Sequence, residues 1–276
     1  MENLVNALKT NRAFAFASAL VLLLILLALA APLIAPYDPL TAEMKNAYLP
    51  PSGEHLFGTD KLGRDCFSRI LYGASYSLSS VLLLVAVIFA VGTSLGVAAG
   101  YFGGKTDTVI MRISDMMISF PGMILAIAIA GILGGSLINA IIALTIVSWT
   151  KYARLARSMV LKIKKRDFVE AAVVNGGKPL HILSRHIVPN ILPLMVITAA
   201  SDIGAMMMEL AGLSFLGFGS QPPAPEWGLM LNEGRQQLQT APWLMVFPGL
   251  AIFVTVVIFN LWGDALRDVL DPRQED

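Results

Sequence analysis

Long apolar stretches separated by shorter polar ones dominate the pattern of this chain. A helix needs about 20 mostly apolar residues to cross the hydrocarbon core of a bilayer. Six stretches are that long or nearly so: Phe14–Ala35, Ser77–Gly100, Thr108–Ile132, Leu137–Trp149 with its flank, Ile191–Gly212 and Pro242–Trp262. We therefore predict an all-α polytopic membrane protein with six transmembrane helices.

Two of the six predicted spans carry an interruption. Ser148, Trp149 and Lys151 shorten the apolar part of the fourth span, which we expect to continue as a helix through Tyr152–Met159. Pro121 lies inside the third span and should kink or break it, because proline lacks the amide donor that a helix interior uses. The second span instead carries a regular feature. Its glycines recur every four residues, which predicts close packing of another helix, either within this chain or from a partner subunit.

The polar segment between the fourth and fifth spans has the punctuation of two short helices. Asp167 is placed to cap a helix, with Glu170 at its third position, an arrangement that satisfies free amides at a helix start. Gly176 and the glycine after it should end this helix, and Pro179 suits the first turn of the next one. The segment is too polar to cross a bilayer. We predict a helix, a glycine turn and a second helix held at the membrane surface, which would suit a docking element.

Basic residues orient the predicted spans, because lysine and arginine accumulate on the cytoplasmic side of membrane proteins. With the N-terminus inside, 15 of the 20 lysines and arginines fall on the cytoplasmic side, nine of them between Lys151 and Arg185. The outer side has only five: Lys45, Lys61, Arg64, Arg69 and Arg235. Both termini, with Lys9 and Arg273, are therefore expected in the cytoplasm. Two larger loops, residues 36–76 and 214–241, are expected outside. Trp227 in the second loop has two interpretations: it is only an interfacial anchor, or it belongs to a segment that covers the outer mouth of a path.

Composition narrows the classes of function. Of 276 residues, 56% are hydrophobic and 14% charged, with a mean hydropathy of +0.69, so lipid is the expected solvent. The single cysteine and three histidines do not predict a metal centre, and the basic residues do not form the aromatic-flanked surface typical of nucleic-acid binding. The chain has no phosphate-binding P-loop and no hydrolase motif. We therefore expect a non-catalytic protein without a cofactor, in which any ATP-derived work comes from a partner.

Two acidic residues fall inside the fifth predicted span. Asp202 and Glu209 are seven residues apart and so share one face of a helix, two turns from each other. Ionisable groups at membrane depth are costly and commonly mark solute or ion pathways. Both residues have two interpretations: a polar, cation-friendly lining beside a translocation path, or buried structural partners for groups elsewhere in the bundle. Glu209 has the further option of reaching the outer interface.

The polar segment resembles the "EAA" loop of the permease subunits of ABC importers. The shared pattern is Glu170–Ala172, then Gly176, then His186–Pro189, although the family has isoleucine in place of His186 and leucine in place of Val188. Three further stretches are similar to the C-type permease of the dipeptide, oligopeptide and nickel importers: Leu56–Asp65, Ala211–Gly228 and Asn260–Pro272. Together these stretches extend over nearly the whole chain.

The resemblance implies a type I importer (MetI-like) permease fold in the cytoplasmic, or inner, membrane. It also implies three kinds of partner: a second permease subunit, two cytoplasmic ATPase subunits and an extracytoplasmic solute-binding protein. ATPase coupling is then expected at Asp167, Glu170, Ala171, Ala172, Gly176 and Pro189. The implied solutes are short peptides or a nickel-type metal chelate, and the sequence does not separate them. A different class of function, a proton-coupled secondary transporter using Asp202 and Glu209, leaves the EAA pattern unexplained.

We predict a division of the chain into two parts. Residues 1–76 form an N-terminal anchor helix with its outward loop, since the first apolar run is too long for a cleaved signal peptide. Residues 77–276 form a five-span core in which residues 151–193 are the cytoplasmic coupling loop.

Overall fold

The computed structural model describes residues 11–270, within which the chain forms ten α-helices, and the longest connection between them is residues 35–65. Lys9, Arg273 and Pro272 lie outside the described residues. The helices are α1 (Arg12–Ile34), α2 (Cys66–Phe102), α3 (Gly104–Ile118), α4 (Gly122–Leu133), α5 (Leu137–Ile163), α6 (Asp167–Val174), α7 (Pro179–Ile182), α8 (Val188–Phe215), α9 (Trp227–Gly234) and α10 (Trp243–Leu270). A π-helical turn, Leu183–Ile187, joins α7 to α8.

Each of the six predicted spans corresponds to a helix or a pair of helices. Four helical segments are long and apolar enough to cross a membrane: α1, α2, α7 continued through α8, and α10. The pair α3 and α4 becomes a fifth if the two are counted as one bent span. The fourth predicted span forms α5, 27 residues long, which is not in this apolar group. Its polar and basic residues, among them Lys151, account for that difference.

The third predicted span is broken at Pro121, as expected. α3 ends at Ile118, α4 begins at Gly122, and the two helix axes differ in direction by 95°. Proline at this position precedes α4, where its missing amide donor removes no hydrogen bond from either helix. α4 alone has 12 residues, about 18 Å of helix.

The glycines of α2 allow this helix to pack closely against α5 of the same chain. A side-chain carbon at Gly92 would lie 2.5 Å from the backbone oxygen of Trp149, and one at Gly96 would overlap the backbone of Ala153. Backbone atoms cannot move aside as a flexible side chain can, so only glycine fits at these positions. The predicted close approach is therefore an internal contact.

α8 packs against four other helices, α2, α5, α9 and α10. The core between α2, α5 and α8 is formed by fully buried leucine and isoleucine side chains: Leu84, Ile88, Leu144, Leu210 and Leu213. α1 packs on the outside of the bundle through its small residues, Ala28 and Ala31, and leaves Leu29 and Leu33 exposed. In a membrane that outer face of α1 meets lipid.

Candidate functional site

The helix α6 begins one residue earlier than its predicted capping arrangement requires. Arg166 has the extended conformation of a residue that precedes a helix, and its carbonyl accepts from the amides of Val169 and Glu170. Asp167 is thus the first residue of α6, and no side chain caps the helix. The predicted reciprocal capping by Asp167 and Glu170 is wrong. Both carboxylates lie in the first turn, where the helix dipole favours negative charge.

The glycine turn after α6 has the predicted form. Gly176 has a φ of +77°, a conformation open to glycine and costly for most other residues. Its amide donates to the carbonyl of Val173, and the amide of Gly177 donates to that of Ala172, both at 3.0 Å. This pair of hydrogen bonds ends a helix in a Schellman motif. Pro179 then occupies the first turn of α7, also as predicted.

α6 and α7 are anchored by one side chain each and expose apolar residues on their other faces. Val169 of α6 and Ile182 of α7 are buried in the main core. In contrast, Val174 is 85% exposed, Leu180 is 79% exposed, and Phe168 is also exposed. Aliphatic side chains so fully uncovered, on two short neighbouring helices, form an unpartnered apolar surface. We refer to Phe168, Val174 and Leu180 as the apolar coupling surface.

The residues expected to couple this segment to a partner are mostly accessible. Glu170, Ala171, Gly176 and Pro189 are exposed, and Ala172 is half-buried. Pro189 lies in the first turn of α8, directly after the π-helical turn. The helical backbone is therefore continuous from α7 into α8, the helix that carries Asp202 and Glu209.

Asp202 is held by two consecutive residues of α5. The Nζ of Lys151 lies 2.6 Å from one carboxylate oxygen, and the hydroxyl of Tyr152 donates to the other at 2.9 Å. Asp202 is buried, whereas the Lys151 side chain is 61% exposed. Sequence reasoning treated Lys151 as the residue that shortens the fourth span and as the first residue of the predicted cytoplasmic segment 151–193. The sequence did contain a signal for this pair, because Lys151 at the end of the fourth span and Asp202 in the fifth have opposite charges. Glu209, two turns along α8, is half-buried.

On the predicted outer side, four charged residues, three of them buried, form a network that the sequence analysis missed. Arg64 Nε lies 2.6 Å from Asp60 Oδ2, and Glu233 accepts from Arg64 at 3.2 Å and from Arg69 at 3.0 Å. The two arginine side chains are only 1–2% exposed. These contacts tie the loop before α2 to the end of α9. Asp60 and Arg64 lie in the stretch Leu56–Asp65, which the sequence analysis singled out as similar to the C-type permease. That similarity did not indicate that Glu233 is their partner.

The start of α9 corrects the interpretation of Trp227. Its side chain is buried, and its Nε1 donates to the carbonyl of Ile70 at 3.0 Å, so it packs inside the bundle and is not an interfacial anchor. Glu226 caps the helix by accepting from the amides of Gly228 and Leu229 at 2.9 and 2.8 Å. Burial raises the pKa of the Glu226 carboxyl, while these amide donors act in the opposite direction.

Comparison with known protein families identifies the chain. The model described as "Binding-protein-dependent transport system inner membrane component" matches residues 92–276. The chain belongs to this family. A second model, the N-terminal TM domain of oligopeptide transport permease C, matches residues 4–51. Membership of a family of inner-membrane transport components accords with the apolar helices and lends no support to a proton-coupled secondary transporter.

Several relatives have names that state a transported solute. The nickel transport system permease protein NikC of Escherichia coli is 42% identical over 238 residues, 86% of this chain and 86% of that protein. The dipeptide transport system permease protein DppC of Alkalihalophilus pseudofirmus is 45% identical, over 90% of this chain and 82% of the relative. The glutathione transport system permease protein GsiD of Pectobacterium atrosepticum is 47% identical, over 81% of this chain and 74% of the relative.

A solved structure shares the fold. The MetNI methionine ABC transporter, in an inward-facing conformation, aligns with a TM-score of 0.58 at 20% identity. The alignment includes 74% of this chain and 97% of that chain. The all-helical, MetI-like permease fold expected from the resemblance is confirmed.

Proposed function

We propose that this chain is a permease subunit of an ATP-driven importer in the cytoplasmic membrane. Family membership supports the class, and the names of the relatives give candidate solutes: nickel, dipeptides and glutathione. Their identities to this chain, 42–47%, are too similar to favour one solute over another. The proposed cargo is therefore a short peptide or a nickel-type metal chelate.

The proposed partners are those that membership of a binding-protein-dependent transport family implies. A second permease subunit would complete the path as a heterodimer, two cytoplasmic ATPase subunits would hydrolyse ATP, and an extracytoplasmic binding protein would deliver the solute. Both termini are proposed to be cytoplasmic, as the distribution of basic residues favours. The division into an anchor part, residues 1–76, and a core, residues 77–276, stays a prediction.

The observation that carries the coupling proposal is the apolar coupling surface on α6 and α7. Its side chains would lose contact with water when an ATPase subunit covers them, which favours docking by about 25 cal/mol for each Å² buried. Ala171 and Ala172 leave room for a groove of the ATPase to approach α6. The proposed coupling segment has four further residues. Negative charge comes from Asp167 and Glu170, the turn is formed by Gly176, and the connection to α8 is made at Pro189. Asp202 and Glu209 on α8 are proposed to line the translocation path.

A substitution in the apolar coupling surface tests docking. We expect Val174→Asp to reduce co-purification of the ATPase subunits by roughly tenfold or more, because the complex would bury an unpaired charge. Leu56→Asp is the matched control, since Leu56 is an exposed aliphatic residue on the predicted outer loop. Equal recovery of the ATPase subunits with wild type and Val174→Asp would refute docking at this surface.

A further inference from the structure

The pair formed by Lys151 and Asp202 lies deep in the membrane-spanning part of the bundle. Lys151 is 14 residues into α5 from Leu137, about 21 Å at 1.5 Å per residue. Asp202 is 13 residues before the end of α8 at Phe215, about 20 Å. Both helix ends are predicted to lie at the outer surface, and the hydrocarbon core is about 30 Å thick. The two estimates agree and put the pair inside the membrane, about two thirds of the way toward the predicted cytoplasmic side, so the cytoplasmic segment begins after Lys151 rather than at it.

The exposure of Lys151 at this depth indicates whether this side of the bundle contacts lipid or water. Its side chain is 61% exposed, although its ammonium group is paired with Asp202. An ammonium group facing lipid near the bilayer centre would cost about 3 kcal/mol or more, and one facing water would cost little. The Lys151 side of the bundle therefore faces water or polar groups, unlike the leucine-covered face of α1.

Residues of α8 extend this face toward the predicted outer side. Ala205 is exposed one turn beyond Asp202, and Glu209 is half-buried one turn beyond Ala205. Within residues 11–270, Glu209 makes no hydrogen bond or ion pair through its side chain. We define the polar face as Lys151, Asp202, Ala205 and Glu209. Lys151 balances the charge of Asp202, which leaves the face with one net negative charge, on Glu209.

We propose that the polar face is a water-filled wall of the translocation path, and that Lys151 sets its charge by neutralising Asp202, leaving Glu209 to meet a positively charged group of the solute. This inference rests on the proposed function and narrows the solute to one with a cationic group. Lys151 is then a specificity-determining residue, acting through the charge it cancels.

The test measures which charged reagents reach the polar face in the complete importer complex, embedded in membrane vesicles. The only native cysteine, Cys66, is buried and is replaced by serine, and Ala205→Cys places one thiol on the face. A cationic and an anionic methanethiosulfonate of similar size are compared, each relative to its rate with a free thiol. We expect Ala205→Cys to react, and to react faster with the cationic reagent.

Charge variants in this background assign the effect to individual residues. Lys151→Met should raise the cation-to-anion rate ratio by roughly threefold or more, since one further negative charge lies nearby. Asp202→Asn and Glu209→Gln should each lower the ratio. The double variant Lys151→Met with Asp202→Asn should return the ratio to the parental value, because the two changes cancel in net charge. Lys151→Arg should keep the parental ratio, because arginine retains the positive charge. A purely structural ion pair predicts lower complex yield in the single variants and no change in the ratio.

Three control variants make the outcome decisive. Leu22→Cys lies on the exposed face of α1 and should stay unreactive, whereas Leu56→Cys on the outer loop should react. Arg154→Met removes a neighbouring charge of α5 that pairs with Asp115 at 2.5 Å, and should leave the ratio unchanged. If Ala205→Cys is unreactive while Leu56→Cys reacts, lipid or a partner covers the face and the proposal fails. An unchanged ratio in Lys151→Met also overturns it.

Protection from labelling distinguishes the source of the cationic group. Slowing of the cationic reagent by nickel chloride indicates a metal cation. Slowing by dialanine, with none by N-acetyl-dialanine, indicates a peptide amino terminus. Slowing by none of the three overturns the assignment of Glu209 to the solute. The labelling ratios do not require hydrolysis, so a complex that fails to import with ATP but keeps these ratios refutes the proposed importer and leaves the charge assignment standing.

Discussion

At the residue scale, several buried charged side chains of this protein lie in groups of opposite sign. Asp60, Arg64, Arg69 and Glu233 balance each other on the predicted outer side. Removing one member of a buried pair leaves an uncompensated charge in a poorly solvated place, which costs far more than losing an exposed pair. Asp60 and Glu233 each contact both arginines, and Glu233 is the member of the four that lies on α9.

Replacement of Glu233 tests this network. We expect Glu233→Gln to lower the stability of the folded protein by about 3–5 kcal/mol, because Arg64 and Arg69 lose a shared carboxylate. Glu43→Gln, which breaks the exposed pair with Lys45, should change stability by less than about 0.5 kcal/mol. Heating the purified protein with a thiol-reactive dye reports unfolding, since Cys66 becomes accessible. Equal midpoints for the two variants would contradict a structural role for the network.

Single residues were also where sequence reasoning was least accurate. The predicted capping by Asp167 was wrong because α6 starts one residue earlier than the pattern suggested, with Arg166 in the cap position. The partner of Asp202 was missed because contacts between helices depend on how α5 and α8 are rotated against each other, which the apolar pattern does not specify. Gly176 was predictable, since its left-handed conformation is a local requirement of the turn.

At the scale of the elements, the lengths of the apolar stretches predicted where the helices lie along the chain. They predicted only in part which helices pack against each other. The glycines of α2 predicted a close contact, while α5 was the least apolar of the predicted spans and was not identified as the partner. Pro121 predicted a break correctly because it acts through local geometry. Which helices lie beside one another depends on packing across the whole bundle.

The contact between α2 and α5 is tested by the smallest possible change. Gly96→Ala adds one methyl group against the backbone of Ala153, so the helices must separate along their length. We expect a loss of stability of about 1–3 kcal/mol, measured by thermal unfolding of the purified permease. Gly249→Ala in α10 is the control, because its added carbon would lie 4.0 Å from the nearest side-chain atom. Unchanged stability in Gly96→Ala would contradict the close packing.

At the scale of the whole molecule, one helical path connects the predicted cytoplasmic surface to the membrane interior. α6 ends at the glycine turn, α7 continues through a π-helical turn into α8, and α8 carries Asp202 and Glu209. Packed helices move as rigid bodies, so a displacement of α6 and α7 by the ATPase subunits would tilt α8. The proposed link between ATP hydrolysis and the opening of the translocation path is this tilt of α8.

The most direct measurement is solute accumulated per ATP hydrolysed, in proteoliposomes containing the complete importer complex. We expect accumulation with ATP and the binding protein, and none from a proton gradient alone. Gly176→Val, strained at a positive φ, should hydrolyse ATP with little uptake, whereas Gly176→Asn, which tolerates this conformation, should retain coupling. Accumulation driven by the proton gradient without ATP, or full coupling in Gly176→Val, would contradict the account.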